Sequence, residues 1–399
     1  MAAESRPLRV LMILDSCYPA VGGGGAESQV RTLALHLKRI GQRVTILTPR
    51  VPHGRQVAIE RIEGVPVVRI PYPFVRGVGS LVLWARFVVF LLRHGRRYDA
   101  WHAHIAHYLA AVAAVAGALL GKPVVLKISG WWELKRGVLD PDKGLLAASA
   151  RRGLRMASAV QAISRRIGAE LARNGFPAER IVALPNAVDT SRFGAARAAH
   201  DAAAPTFLFV GRLVPEKGLD TLFGAWADAF GTSAKARLLV VGDGPLREPL
   251  LAQAQASGIA AQVEFLGHRS NVEDFVAAAD VGVLPSTIEG LSNSLLEFMA
   301  SGLPTIASRV SGSEDMVIDG NNGWLFDVGD RAALARCLAE AAASDRARLC
   351  QLGLAARARI AHVASLEVVV GKLLALYRGT RPAELRDDAV AEPTASGGA

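Results

Sequence analysis

The stretch VGVLPSTIEGLSNSLLEFMASGLPTIAS, residues 281–308, decides how this chain folds. It begins and ends with short apolar runs, VGVLPS and LPTIAS. Between them an irregular loop leads into a helical pattern that Gly302 and Pro304 close. Strand, loop, helix, strand is the unit of a parallel sheet covered on both faces. Ser292 or Asn293 is placed to cap the helix, and the spacing from Ser294 to Glu297 predicts a capping box. The free amides at such a helix start, together with the helix dipole, stabilise an anion.

Working outward, the same unit recurs in two series. RVLMILDS, RVTILTP, DAWHAH, PVVLKISG and AVQAIS precede a break at residues 185–205, where periodicity is lost; TFLFVGR, RLLVVGDG and VEFLGH follow it. A chain of 399 residues is too long for one ordinary core. The pattern predicts two doubly wound α/β domains, residues 1–190 and 205–362. A last helix within 363–379 is expected to cross back to the first domain. The small, polar, proline-rich residues 380–399 are expected to be a disordered tail. Open α/β sheets bind ligands beyond the carboxyl ends of their strands, so the chemistry is expected in loops facing a cleft between the domains.

Composition narrows the class. With 51% hydrophobic and 21% charged residues the chain has ample material for soluble cores. Cys17, Cys337 and Cys350 are odd in number and lack ligand spacing, which excludes a disulfide framework or zinc site and fits a reducing cytoplasm. The apolar run before Asp15 is too short for a leader or a span, and the Ala-rich IAHYLAAVAAVAGALLG reads as a buried helix. Residues 1–185 hold 27 Lys and Arg against 11 Asp and Glu, whereas residues 186–399 hold 19 against 25. A basic first half attracts phosphates or anionic lipid. Nucleic acid is not an expected partner, because no helix-turn-helix, zinc-finger or RNA-binding pattern accompanies the charge.

Within the decisive stretch, Glu289 and Glu297 flank the anion-binding helix start. Ionised carboxylates only accept hydrogen bonds, which suits hydroxyl-rich ligands. A second strand-end loop, FVGRLVPEKGLDTLFGAW, supplies Arg212 and Lys217, a pair able to neutralise a diphosphate. In YDAWHAHIAHY, His102 and His104 share one strand face, either as a core pair or as ligand contacts. No third ligand stands nearby, so no metal site is expected. The glycine-rich YPAVGGGGAESQV lacks the G-x-G-x-x-G order of a dinucleotide-dependent oxidoreductase.

Taken together, GGAE, LPNAVDTSRF, VGRLVPEKGLDTL, VVGDGPL, VEFLGH and LPSTIEGLSNSLLEFMASGLP resemble the retaining glycosyltransferases of family 4, which have the GT-B fold of two Rossmann-like domains. The resemblance runs from about Arg9 to about Asp327. It implies that Arg212 and Lys217 hold the diphosphate of a nucleotide-sugar, that Glu289 meets the transferred sugar, and that Glu297 accepts from the ribose. It places Gly24, Gly25, Gly211, Gly242, Gly290, Leu291, Ser292, Asn293, Ser294 and Leu295 around the donor, and His104 against the donor sugar or the acceptor. It implies no resident cofactor and no metal; the nucleotide-sugar is a co-substrate, and the product belongs to polysaccharide or glycolipid assembly.

Two departures stand out. Ala187 occupies a position where relatives often carry glycine, which questions the local turn. After PVVLK, which ends at Lys127, comes ISGWWELKRG; Lys127, Ser129, Trp131, Trp132 and Glu133 are expected to contact an anionic carbohydrate or lipid-linked acceptor, the alternative being that Trp131 and Trp132 pack under a loop. SLVLWARFVVFLLRHGRRYD, residues 80–99, is apolar around most of a helix except for Arg86, Arg93 and Arg97. With the basic first domain, this makes an anionic membrane surface an expected partner, with Trp84, Phe87 and Phe90 as its apolar contacts; the alternative is a buried helix whose arginines reach water. Other functions compatible with the pattern are a GT-B epimerase or phosphorylase and a non-catalytic nucleotide-sugar-binding subunit.

Overall fold

The computed structural model describes residues 6–19, 24–51, 56–193, 204–233 and 235–385. The first domain is built on β1 (Arg9–Ile13), β2 (Arg43–Pro49), β3 (Ile59–Ile62), β4 (Val65–Ile70), β5 (Ala100–Ala103), β6 (Val124–Ile128), β7 (Ala159–Ala162) and β8 (Ile181–Ala183), in the order β3-β4-β2-β1-β5-β6-β7-β8. Only β3 runs antiparallel, as an edge hairpin with β4. The second sheet consists of β9 (Thr206–Val210), β10 (Arg237–Val241), β11 (Val263–Gly267), β12 (Val281–Leu284), β13 (Thr305–Ser308) and β14 (Gly323–Phe326), all parallel, in the order β11-β10-β9-β12-β13-β14.

The strands are continuous apolar runs because helices cover both faces. Phe207, Leu208 and Phe209 of β9 are wholly buried, as are Val10, Leu11 and Met12 of β1. In each sheet the chain winds one way from a central strand and then returns to wind the other. The strand order therefore reverses between β1 and β5 and again between β9 and β12. Those reversals leave crevices at the carboxyl ends of the strands, which is where open sheets bind ligands. The expected two-domain, doubly wound architecture is present.

One face of the first sheet is covered by the helices Gly25–Arg39 and Leu366–Tyr377. Leu366, Val369, Val370, Leu373, Leu376 and Tyr377 belong to the same buried cluster as Val10, Met12, Leu33 and Val125. The opposite face carries the neighbouring helices Val78–His94, Tyr108–Leu120 and Leu145–Leu154. The chain's two crossings between domains lie side by side: Val188 N donates to Ala364 O at 2.9 Å and Leu366 N to Val188 O at 3.2 Å.

Two expectations are corrected, on the tail and on Phe87. The tail does not begin at 380, because Pro382–Leu385 forms a short helical turn with Pro382 buried; residues 386–399 lie outside the described residues. The break at 185–205 is described only to residue 193 and from 204 onward. Phe87 is not a free apolar contact but is wholly buried, and Trp84 and Phe90 are half-buried against the same core, because the aromatic side of that helix is the side packed on the domain.

Candidate functional site

The ends of β9 and β12 stand side by side at the second crevice. The Ser294 hydroxyl donates to Val210 O at 2.8 Å, so the helix Asn293–Ala300 starts directly over the end of β9. The predicted capping box is therefore absent: Ser292 occupies the cap position without a side-chain bond, and the Ser294 hydroxyl serves β9 instead. The loop after β9 crosses the loop after β10 at van der Waals contact. Gly242, at φ +137°, is required there, since a Cβ would collide with Gly211 O. Gly218, at φ +64°, likewise presses on Pro285 O, and Thr287 N donates to Glu216 O at 2.9 Å. These contacts join the loops after β9 and β12, and so Lys217 meets Glu289.

The Lys217 ammonium is ion-paired with the Glu289 carboxylate, which also accepts from Ser286 Oγ at 3.3 Å. Arg212 is exposed and has no ion-pair or hydrogen-bond partner for its guanidinium among the described residues. Glu297, half-buried at the start of the second turn of the helix Asn293–Ala300, borders an interdomain cavity of about 50 Å³ together with Ser28, Thr32, Asp189 and Arg192. Burial pushes its carboxyl up to about 7, against the pull of Arg192.

The first domain docks on this helix start. Asn293 donates to Gly25 O at 3.3 Å, and its oxygen accepts from Gln29 at 3.2 Å and Asn186 at 2.9 Å. Gln29 in turn donates to Ala187 O at 2.9 Å and accepts from Ala187 N at 3.0 Å. The turn at Ala187 is thereby satisfied without glycine; Glu63 is the sole non-glycine residue of positive φ among those described. Gly290 faces Gly130 so closely that a Cβ would stand 2.9 Å from Gly130 Cα. Ser164 meets Ser311 at 2.6 Å, and Arg165 pairs with Asp315 at 2.8 Å, on the same interface. Gln29, Asn186 and Ser311 carry no sequence signal, since their side chains meet these partners across more than a hundred residues of chain; Ser164 is also the local cap of the helix Arg165–Arg173, accepting from Ile167 N at 3.2 Å.

Beneath the first domain's side of the cleft, His102 and His104 are wholly buried and stacked with ring centroids 4.0 Å apart. His102 Nδ1 lies 2.7 Å from the Tyr377 hydroxyl, whereas neither ring nitrogen of His104 has a protein partner among the described residues. Burial lowers the pKa of both imidazoles, that of His102 to about 3, so both are neutral. Lys127 is buried beside them, its ammonium without a hydrogen-bond partner among the described residues and its pKa pushed down to about 7 by burial.

Glu133 is not exposed in the cleft but wholly buried, its carboxylate taken up by the chain itself. One carboxylate oxygen accepts from the Ser129 hydroxyl, from Ser129 N at 2.6 Å and from Gly130 N at 3.0 Å, and the other accepts from Ala106 N at 2.8 Å. Its carboxylate ties the loop after β6 to the loop after β5, and burial pushes its pKa up to about 7. Trp131 is half-buried under the Arg166 guanidinium, 5.3 Å from the ring centroid, while Trp132 is exposed. A pair not singled out from sequence, Asp15 and His107, joins the ends of β1 and β5 at 2.6 Å. Burial lowers the His107 pKa, but the bond and charge of Asp15 raise it further, and the net shift is upward.

The structure thus gathers Arg212, Lys217, Glu289, Gly211, Gly242 and the helix start at Ser292 to Leu295 at one crevice. Gly24 and Gly25 lie against it from the first domain, and His104, Lys127 and Glu133 sit below the surface. No group of three or more His, Cys, Asp or Glu side chains is placed to hold a metal ion among the described residues. Cations, helix-start amides and a carboxylate at one crevice can hold a phosphate-bearing, hydroxyl-rich ligand.

Comparison with known proteins divides the chain at the same break. Residues 23–192 match the family described as Glycosyltransferase Family 4, and residues 204–344 match Glycosyl transferases group 1. The 2-deoxystreptamine N-acetyl-D-glucosaminyltransferase of Streptomyces fradiae is 30% identical over 349 residues, covering 80% of this chain and 82% of that protein. The lipopolysaccharide core biosynthesis glycosyltransferase LpsE of Rhizobium meliloti is 36% identical over 152 residues, 38% of this chain and 44% of that protein. Among solved structures, HepE of Anabaena in complex with UDP-glucose shares the fold, with a TM-score of 0.72 at 21% identity over 92% of this chain and 98% of that one.

Proposed function

This chain belongs to the group 1, family 4 glycosyltransferases of GT-B fold, and on that premise we propose that it moves a sugar from a nucleotide-diphosphate donor to an acceptor hydroxyl with retention and without a metal ion. The observation that carries this reading is the pairing of Lys217 with Glu289 beside Arg212, which is unpaired among the described residues, at the start of the helix Asn293–Ala300. When a donor enters, Lys217 exchanges Glu289 for the diphosphate, and Glu289 is released toward the hydroxyls of the sugar. The bond from the anomeric carbon to the phosphate oxygen breaks, and Arg212, Lys217 and the helix-start amides stabilise the negative charge that grows on the leaving group. The acceptor oxygen bonds to the same face of the sugar, and its proton passes to the departing diphosphate. The relationship to LpsE supports a role in bacterial polysaccharide or glycolipid assembly, and the odd number of cysteines without ligand spacing fits a cytoplasmic protein.

The test is thermal unfolding in EDTA with UDP-, GDP- and ADP-sugars. One donor is expected to raise the midpoint by several degrees, since a hundredfold excess over Kd stabilises by about 2.7 kcal/mol. No shift with any nucleotide or nucleotide-sugar overturns the reading; a shift, or turnover, that requires added Mg or Mn ions overturns metal independence.

A pH dependence follows from Glu297. Its ionised form accepts two ribose hydroxyls, and burial has pushed its pKa up to about 7. Protonation competes with binding, so donor affinity is full above that pKa and is lost as pH falls through it, by up to about tenfold between about pH 8 and about pH 6. Calorimetric titration should show this slope in the wild type and its flattening in Glu297→Gln; equal slopes would remove Glu297 from the donor site.

A further inference from the structure

The helix Val78–His94 carries more apolar surface than the first domain covers. Leu83, Phe87 and Leu91 recur every four residues and are buried. On the opposite side Leu81 and Leu92 are 63% and 65% exposed, with Ala85, Val88 and Val89 between them on the same strip of a helix of 3.6 residues per turn. Val78 at the helix start, and Phe74 and Val75 before it, all exposed, extend the strip. Arg86, Arg93 and Arg97 line one flank, and Arg76 and Arg96 stand at the ends. From Gly64 to Tyr98 there are six arginines and no carboxylate. By length and composition residues 78–97 could cross a bilayer, but Leu83, Phe87 and Leu91 are committed to the core, so the helix lies along a membrane rather than through it.

An exposed apolar strip flanked by arginines and free of carboxylates is complementary to anionic lipid. The geometry points to an anionic bilayer surface as the occupant of this face, with the helix Val78–His94 lying in the headgroup layer. The helix follows β4 and returns antiparallel to it, so its first turn stands at the carboxyl edge of the first sheet, the edge that faces the cleft. The helix Leu145–Leu154, in the same layer, presents Leu145 and Leu146 at that edge, and Trp132, just past the end of β6, is exposed there as well. The bilayer meets the molecule at the rim of the cleft, and the acceptor this placement selects is a hydroxyl on a lipid-linked carrier; that last step rests on the transferase reading above.

The experiment is co-sedimentation of the full chain with vesicles of phosphatidylcholine alone or mixed with phosphatidylglycerol, at low and high salt. Binding to the mixed vesicles is expected, partly reversed by salt. Changing Arg93, Arg96 and Arg97 together to Gln should weaken it about 100-fold at low salt, the equivalent of about 1 kcal/mol for each arginine. Leu81→Gln, Val88→Gln and Leu92→Gln combined should abolish the salt-resistant part. Both variants should keep the wild-type unfolding midpoint and nucleotide binding, since all six side chains are exposed. Failure of the wild type to bind mixed vesicles at low salt overturns the inference, as does unchanged binding by both variants. So does a dimer in light scattering that the leucine–valine variant splits, or extraction by detergent alone and not by high salt or alkali. Vesicle binding needs no nucleotide, so its failure leaves the transferase reading standing, and failure of nucleotide binding leaves the vesicle result standing.

Discussion

Alanine at Lys217 or at Arg212 is expected to lower the turnover of glycosyl transfer by about 100-fold or more in each case, about 2.7 kcal/mol of transition-state stabilisation. The argument is electrostatic. Charge on the diphosphate grows as the glycosidic bond loosens, and a fixed cation at its position lowers the barrier more than it lowers the ground state. Arg212 is exposed and unpaired among the described residues, so its removal should leave the unfolding midpoint unchanged. Removal of Lys217 leaves Glu289 without its ion-pair partner, and a small loss of stability should accompany the loss of rate. The double variant is expected to fall short of the product of the two losses, because both cations act on one leaving group. Initial rates of nucleoside diphosphate release, measured beside thermal unfolding, check this. Near-wild-type turnover in either single variant would separate that residue from the leaving group.

The second large effect is on stability. Glu133→Ala should destabilise the first domain by on the order of 4 kcal/mol, because four donors lose their acceptor inside the protein and each orphaned buried donor costs about 1–3 kcal/mol. The donors are Ala106 N, Ser129 N, the Ser129 hydroxyl and Gly130 N. Denaturant unfolding should show the loss, and Trp132→Ala, at an exposed neighbour, should leave stability nearly unchanged. A Glu133→Ala protein as stable as wild type would mean that these donors find other partners and that the carboxylate is free to serve a ligand.

Legibility in the sequence followed burial and chain distance. β9, β10, β12 and β13 are buried apolar runs with a glycine or serine at or just beyond their ends, and such runs announce themselves. β3 does not, because at the edge of the sheet its IERI alternates with charge, and β8 has only three residues. Arg212, Lys217 and Glu289 were readable because each lies within a few residues of a strand end. The sequence presents Glu133 and Lys127 as candidate acceptor contacts since charged residues are rarely buried, and nothing local reveals that the loops after β5 and β6 close over them. The role of Asn293 as the bridge to Gly25, Gln29 and Asn186 depends on the approach of two domains, and no pattern within either of them encodes it.

The return of the helix Leu366–Tyr377 to the first sheet sets an order of events at the ribosome. The second domain, from β9 to the helix ending at Val363, is one uninterrupted stretch, and all its core residues have been translated by the time Val363 is added. The first domain is translated earlier but finished later, since the face formed by Val10, Met12 and Val125 waits for Leu366, Val370 and Leu373. A nascent chain stalled before residue 366 therefore carries a completed downstream unit and an upstream sheet with one side uncovered, a natural client for a chaperone. Stop codons that cut the chain within Leu366–Tyr377 should consequently damage the part of the protein that was made first.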